Sequence, residues 1–189
     1  MKKPNPLRAA LALCLSLSAV LSSAQAAQRR EHLTPEEIEQ IRDNQELDKR
    51  TGVFIKAAER RVRGINDPAS LARLNEKDKE TWGEVKGTRA QLLYDVARIL
   101  DEAVVNIDDT ATRAPESALL RKSLYQLSEA AARLLPQLLP LRDKVQDEPE
   151  RDQLERAIET AQEVVEAAKT HAVSEQDLKV KKDGGKKGN

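Results

Sequence analysis

The chain has 189 residues, 32 Lys and Arg against 32 Asp and Glu, one Cys, and four aromatic side chains: Phe54, Trp82, Tyr94 and Tyr125. That scarcity argues against an all-β protein, because strands use aromatic and β-branched side chains to pack a half-buried pleated surface. The length fits one domain.

Residues 1–26 read as a cleaved export signal peptide. Lys2, Lys3 and Arg8 form a positive end, Ala9 to Leu21 an apolar run, and Ala24-Gln25-Ala26 a small-x-small cleavage site. Cleavage near Ala26/Ala27 makes the mature protein periplasmic or secreted. As a helix the apolar run rises only about 20 Å, short of a hydrocarbon core of about 30 Å, so no transmembrane anchor is expected. Cys14 lies in that run behind Leu13, where a lipoprotein signal needs a small residue, and its lipidation is not expected. The mature chain then has no thiol, which excludes disulfides, thiolate metal sites, attached c-type haem and a Cys nucleophile.

Losing the three positive charges of residues 1–26 leaves 29 positive against 32 negative side chains. The Lys/Gly segment Lys179 to Asn189 carries five Lys against one Asp, so Ala27 to Leu178 has 24 positive against 31 negative. A tail of that composition cannot bury enough apolar surface to offset its ordering entropy. The expected organisation is a flexible N-terminus at 27–33, a helical bundle domain at 34–174 and a disordered tail at 175–189.

Thr34 followed by Pro35 and Glu37 predicts a capping box, with Leu33 and Ile38 placed as a hydrophobic staple. The helix is expected to run to Ile65, with an inward stripe of Ile41, Asn44, Asp48, Thr51, Ile55, Ala58, Val62 and Ile65. Asn66-Asp67-Pro68 ends it, and a short helix is expected over Ala69 to Leu74. Asn75 to Gly87 reads as a charged loop broken by Gly83 and Gly87.

The second main helix is expected from Thr88 to Asp108, with a wide apolar face including Leu93, Val96, Ile99, Leu100 and Val104. The third starts at Pro115-Glu116 and carries a heptad of Leu120, Leu124, Leu127, Ala131, Leu134, Leu138 and Leu141. That phase persists through Pro136 and Pro140, which predicts a kink rather than a loop. The last, Pro149 to Val173, has an Ala-rich seam. The expected fold class is all-α, an antiparallel up-down four-helix bundle with the third main helix kinked at Pro136/Pro140; a self-associating coiled coil is the rival.

The chemistry is sparse. Neither His32 nor His171 has a Glu three residues before it, as a di-iron bundle needs. His32 is expected to be solvated and His171 to sit near a helix C-terminus. Gly83 to Thr88 is not a phosphate loop, since Lys86 precedes Gly87 rather than following it. Trp82 offers two readings, a cover for the open end of the bundle or an anchor for a partner. Asn44, Asp48 and Thr51 on the inward stripe depart from ordinary core design. Asp48 could pair with Arg98, or meet Asp95, Glu102, Asn106 or Asp109 in a carboxylate-lined cation site, or be solvated on an overhanging helix end. No catalytic, cofactor-binding or metal residue is assigned and no cofactor is implied.

Leu33-Thr34-Pro35-Glu36-Glu37 resembles the Leu-Thr-x-x-Gln opening of small helical periplasmic chaperones and metal-stress proteins. The likeness covers five residues, departs at Glu37, and is explained equally by a capping box. It implies an exported helical protein of chaperone or stress-response type. The function expected first is a non-enzymatic binding or envelope-structural protein, with that chaperone-like role as the alternative and a carboxylate-based metal binder or hydrolase third. A protein partner is expected through helix faces or the loop around Trp82. The acidic body disfavours nucleic acid, while the Lys tail could touch a polyanion or lipid weakly.

Overall fold

A computed structural model describes residues 31–73, 75–145 and 147–179. The expected leader, Cys14, and residues 180–189 of the expected tail lie outside them. The described residues are helical and contain no strand. Seven α-helices follow in order: α1 (Pro35–Asp43), α2 (Leu47–Asn66), α3 (Pro68–Ala72), α4 (Glu76–Trp82), α5 (Arg89–Arg113), α6 (Ala118–Leu138) and α7 (Glu148–Thr170). Two 3-10 segments, Leu139–Lys144 and Glu175–Lys179, complete the elements of the described residues.

The capping box forms as the letters predict. The Thr34 hydroxyl accepts from the Glu37 N–H at 3.1 Å, and Glu37 Oε2 accepts from the Thr34 N–H at 2.9 Å. The single helix expected from here to Ile65 is divided at residues 44–46. Asn44 leaves helical geometry at φ −98° and ψ 86°, and its side-chain amide donates to the Gln40 carbonyl at 2.7 Å. A polar side chain thus satisfies the carbonyl that helix termination exposes. The chain reverses, and α1 lies back along α2.

Asn75 to Gly87, expected as a loop, holds α4. The Asn75 side chain caps the Asp78 N–H at 2.8 Å, and Gly83 closes the other end with its N–H on the Lys79 carbonyl at 2.8 Å. The short helix before it starts at Pro68 under an Asp67 cap and is assigned to Ala72; Leu74 lies outside the described residues. The helix α5 begins with a second capping box, Thr88 with Gln91, and runs to Arg113, a turn beyond the expected Asp108. Ser117 rather than Pro115 precedes α6. That helix carries Pro136 inside it as α-helix to Leu138, then tightens into the 3-10 segment that holds Pro140.

The N-terminus expected to be flexible over 27–33 is anchored at its last residues. Leu33 is buried and the His32 carbonyl accepts from Arg61 Nη2 at 2.8 Å. The tail expected to be disordered from 175 begins with the ordered turn Glu175–Lys179, clamped by Arg121 Nε on Asp177 Oδ1 at 2.9 Å.

Four helix pairs bury the core: α2 with α5, α5 with α7, α7 with α6, and α6 with α2. Their directions follow from the ion pairs and hydrogen bonds between them. Asp48 meets Lys122 and Glu59 meets Arg133, a constant offset of 74, so α2 and α6 run parallel. Arg89 meets Glu150 and Asp101 meets Thr160, so α5 and α7 also run parallel. Arg50 to Asn106 and Arg61 to Asp95 set α2 against α5, and Arg142 to Glu155 with Arg121 to the His171 carbonyl set α6 against α7.

Phe54, Leu93, Ile99, Leu127, Leu134 and Leu154 are among the largest fully buried side chains. Phe54 and Leu47 do the packing on α2 that the expected stripe assigned to Asn44 and Asp48. On α7 close packing uses Ala157, Ala161 and Ala168.

Candidate functional site

Three constellations of polar or open residues stand out. The first is a buried ion network that the sequence reading did not contain. Glu37 is fully buried, and its Oε1 receives Arg60 Nη1 at 2.5 Å together with Arg61 Nη1. Arg60 also donates to the Trp82 carbonyl at 2.7 Å and the Gly83 carbonyl at 2.5 Å. Asp95 Oδ2 lies 4.0 Å from Arg61 Nε. Two guanidinium and two carboxylate groups therefore balance within one buried site. Burial pulls the Arg60 pKa down, and the Glu37 charge and hydrogen bond oppose that shift.

This network is a junction between elements. It ties α1, the end of α4 and the His32 carbonyl to α2, and its guanidinium donors face the Glu37 carboxylate and backbone carbonyls. The Trp82 carbonyl accepts from both Arg60 and the Thr34 hydroxyl. Trp82 itself is half-buried at the end of α4, not in a loop. His32, expected to be solvated, puts Nε2 2.7 Å from Glu102 Oε2 with 18% of its side chain exposed.

The second constellation is the polar stripe. Asp48 is neither solvated nor paired with Arg98: it takes Lys122 Nζ at 2.7 Å, with the two side chains 11% and 20% exposed. The side chains that could have met it in a cation site are dispersed. Asp95 faces Arg61, Glu102 faces His32, Asn106 faces Arg50, and Asp109 faces Arg113. No group of three metal-ligating side chains forms among the described residues. Asn44, the other member, spends its amide on capping α1. Thr51 and Ser123 are buried nearby along the α2–α6 seam, their hydroxyls without a partner among the described residues.

The third is a cleft of about 920 Å³ where the C-terminal half of α5, the N-terminal half of α6 and the end of α7 meet. It opens because α5 and α6, although joined by only residues 114–117, are not neighbours along most of their length; α7 and α2 each touch both. Leu120 and Leu124 of the α6 heptad, and Val104 of α5, stay half-buried there instead of closing into the core. Val105 beside them is 55% exposed.

The rim of this cleft is charged. Arg98 is held by Asp101 at 3.4 Å and Arg121 by Asp177, so both cations are neutralised within the chain. Asp177 is kept below the usual aspartate range by the Ser174 N–H and then by Arg121. Asp108, Glu116 and Glu163 are exposed on the rim with no ion pair among the described residues. A smaller cleft of about 580 Å³ lies under α3 and α4, where Arg89 and Glu150 satisfy each other at its edge; the Glu150 hydrogen bond raises the Arg89 pKa.

Leu120, Leu124 and Val104 lie on the apolar faces that the spacing predicts, but line a cleft. Spacing reports which side of a helix is apolar, and only the contacts between helices show where two such sides fail to meet. Comparison with family models, with curated proteins and with solved structures found no match to this chain. No helix among the described residues is long and apolar enough to cross a membrane.

Proposed function

We propose that this chain is an exported helical-bundle protein that works by binding another macromolecule, without a reaction of its own, and that the cleft between α5 and α6 is where it binds. The reading takes the four long helices as an up-down-up-down bundle with ring order α2, α5, α7, α6. The pairwise directions and contacts of these helices support it. Export rests on the sequence of residues 1–26, with a mature start at Ala27 and a periplasmic or extracellular destination.

The cleft carries the proposal. It is concave, mostly apolar on its floor, and rimmed by a few charges, the pattern of a binding site. An apolar surface of this kind left open at a charged edge marks a place of interaction.

The test is a photo-cross-linking amino acid placed at Val105 in full-length chain expressed in a Gram-negative host, with the same residue at the exposed Lys56 on α2 as control. Expected is a chain that starts at Ala27 in the exported fraction and captures a discrete partner from Val105 but not from Lys56. Capture that is equal from both positions, or absent from Val105, contradicts the reading.

A second reading is a holdase for unfolded clients, favoured by the half-open Leu120 and Leu124. The Leu33 to Glu37 opening adds nothing to it, because the observed capping box accounts for Thr34 and Glu37. Unchanged aggregation of a denatured client at equimolar protein would remove this reading.

A further inference from the structure

We infer that the cleft takes a basic amphipathic helical segment of another protein, with its apolar face on Val104, Leu120 and Leu124 and its Lys or Arg side chains against Asp108, Glu116 and Glu163. The inference rests on the binding reading above and adds the chemistry of the partner.

The rim cations Arg98 and Arg121 already have carboxylate partners from this chain, so among the described residues the uncompensated charge of the rim is entirely negative. An acidic segment would meet three like charges, which costs affinity and slows encounter, whereas a basic one is steered in. The same sign opposes a second copy of this chain, whose body from Ala27 to Leu178 carries 31 negative against 24 positive side chains. It opposes an anionic lipid surface as well.

The α5 wall runs from Arg98 to Ala111, about 20 Å at the helical rise, which matches three to four turns of a partner helix. Its apolar positions, Val104, Ile107 and Ala111, recur at spacings of three and four, so a partner with apolar anchors at the same spacing meets it over about 10 Å, the C-terminal half of that wall. The chain's own tail does not fit this description: residues 181–189 hold four Lys but no apolar side chain.

The probe is a labelled peptide of about 14 residues with Leu at positions i, i+3, i+4 and i+7 and Lys on the flanks, titrated into the full mature chain. Expected is saturable binding that weakens about three- to tenfold as salt rises from about 50 to about 300 mM. A version with Glu in place of Lys should bind about tenfold more weakly. The triple variant Asp108→Lys, Glu116→Lys, Glu163→Lys, with unchanged circular dichroism, should prefer the Glu peptide. These sites are exposed, so the variant is expected to fold, and Val105→Asp supplies a second probe by weakening both peptides.

Equal binding of the two peptides, or a triple variant that keeps the original preference, overturns the inference. Ending the chain at Lys179 should leave the affinity within about twofold. A gain of about tenfold on that truncation would make the tail the occupant and overturn it too. Capture of a partner at Val105 with no binding of the Lys peptide defeats this inference alone and leaves the binding reading standing.

Discussion

Glu37 shows how one side chain can hold two structural duties. Its Oε2 closes the capping box of α1, while its Oε1 neutralises Arg60 and Arg61. Removing it leaves two buried guanidinium groups with one carboxylate, Asp95, so Glu37→Ala should cost about 3–5 kcal/mol by urea denaturation. The exposed pair at Glu59 gives the contrast: Glu59→Ala should cost under about 1 kcal/mol. A similar loss in the two variants would show that the network is solvated.

Two glycines predict opposite signs at the same scale. Gly83 sits at φ 68° and ψ −178°, a region that only glycine adopts freely, and a Cβ there would lie 2.1 Å from Glu36 Oε2. Gly52 is mid-helix with nothing within 4 Å of a Cβ. Thermal melts should therefore place Gly83→Ala about 1–3 kcal/mol below the parent chain, and Gly52→Ala about 0.5–1 kcal/mol above it. The capping role of Glu37 was legible from Thr34-x-x-Glu37. Its partners were not, because Arg60 and Arg61 read as ordinary charges on a helix face until α1 folds back over them.

At the scale of elements, the caps separate what could be read from what could not. Thr34 and Thr88 open helices through side-chain letters at fixed spacing, and Asn75 with Gly83 offered the same signals for α4, which the density of charge between them concealed. The break at 44–46 has no proline or glycine to announce it. Asn44 closes α1 locally, and the reversal it allows brings Glu37 onto Arg60 and Arg61, a distant contact that local propensity cannot express.

The terminal 3-10 turn gives this scale its pH dependence. Asp177 has a native pKa below its ordinary 3.8, so the unfolded segment binds a proton more readily than the docked one. Docking is therefore fully present above pH 3.8 and is lost as pH falls through the native value. Amide exchange at Ser174, whose N–H donates to Asp177 at 2.7 Å, should accelerate over that window; Asp177→Asn should exchange fast already at pH 7. Acid-insensitive exchange at Ser174 would contradict the clamp. The neighbouring Ala172 holds φ 49° under the Arg121 donor, so Ala172→Gly should raise stability by about 1 kcal/mol in the same melts.

For the whole molecule, the all-helical class and most apolar faces came through in the sequence, while the number of helices and their pairing did not. Heptads on α6 specify that Leu124 and Leu127 are apolar, and nothing in them selects a parallel neighbour over an antiparallel one. The ion pairs do that: a register of 74 residues between α2 and α6 brings those two helices side by side and keeps α5 and α6 apart. The cleft, and with it the proposed function, depends on that separation. The mature chain expected from Ala27 contains no Cys, so site-directed cross-linking can be read without background. The direct measurement is cross-linking of a Glu59→Cys, Arg133→Cys chain with a short bis-maleimide. Intramolecular bridging of most of the folded protein is the outcome this account predicts. A chain of full helicity that remains unbridged at 59 and 133, yet bridges readily between Cys residues placed at Asp101 and Leu124, would contradict it.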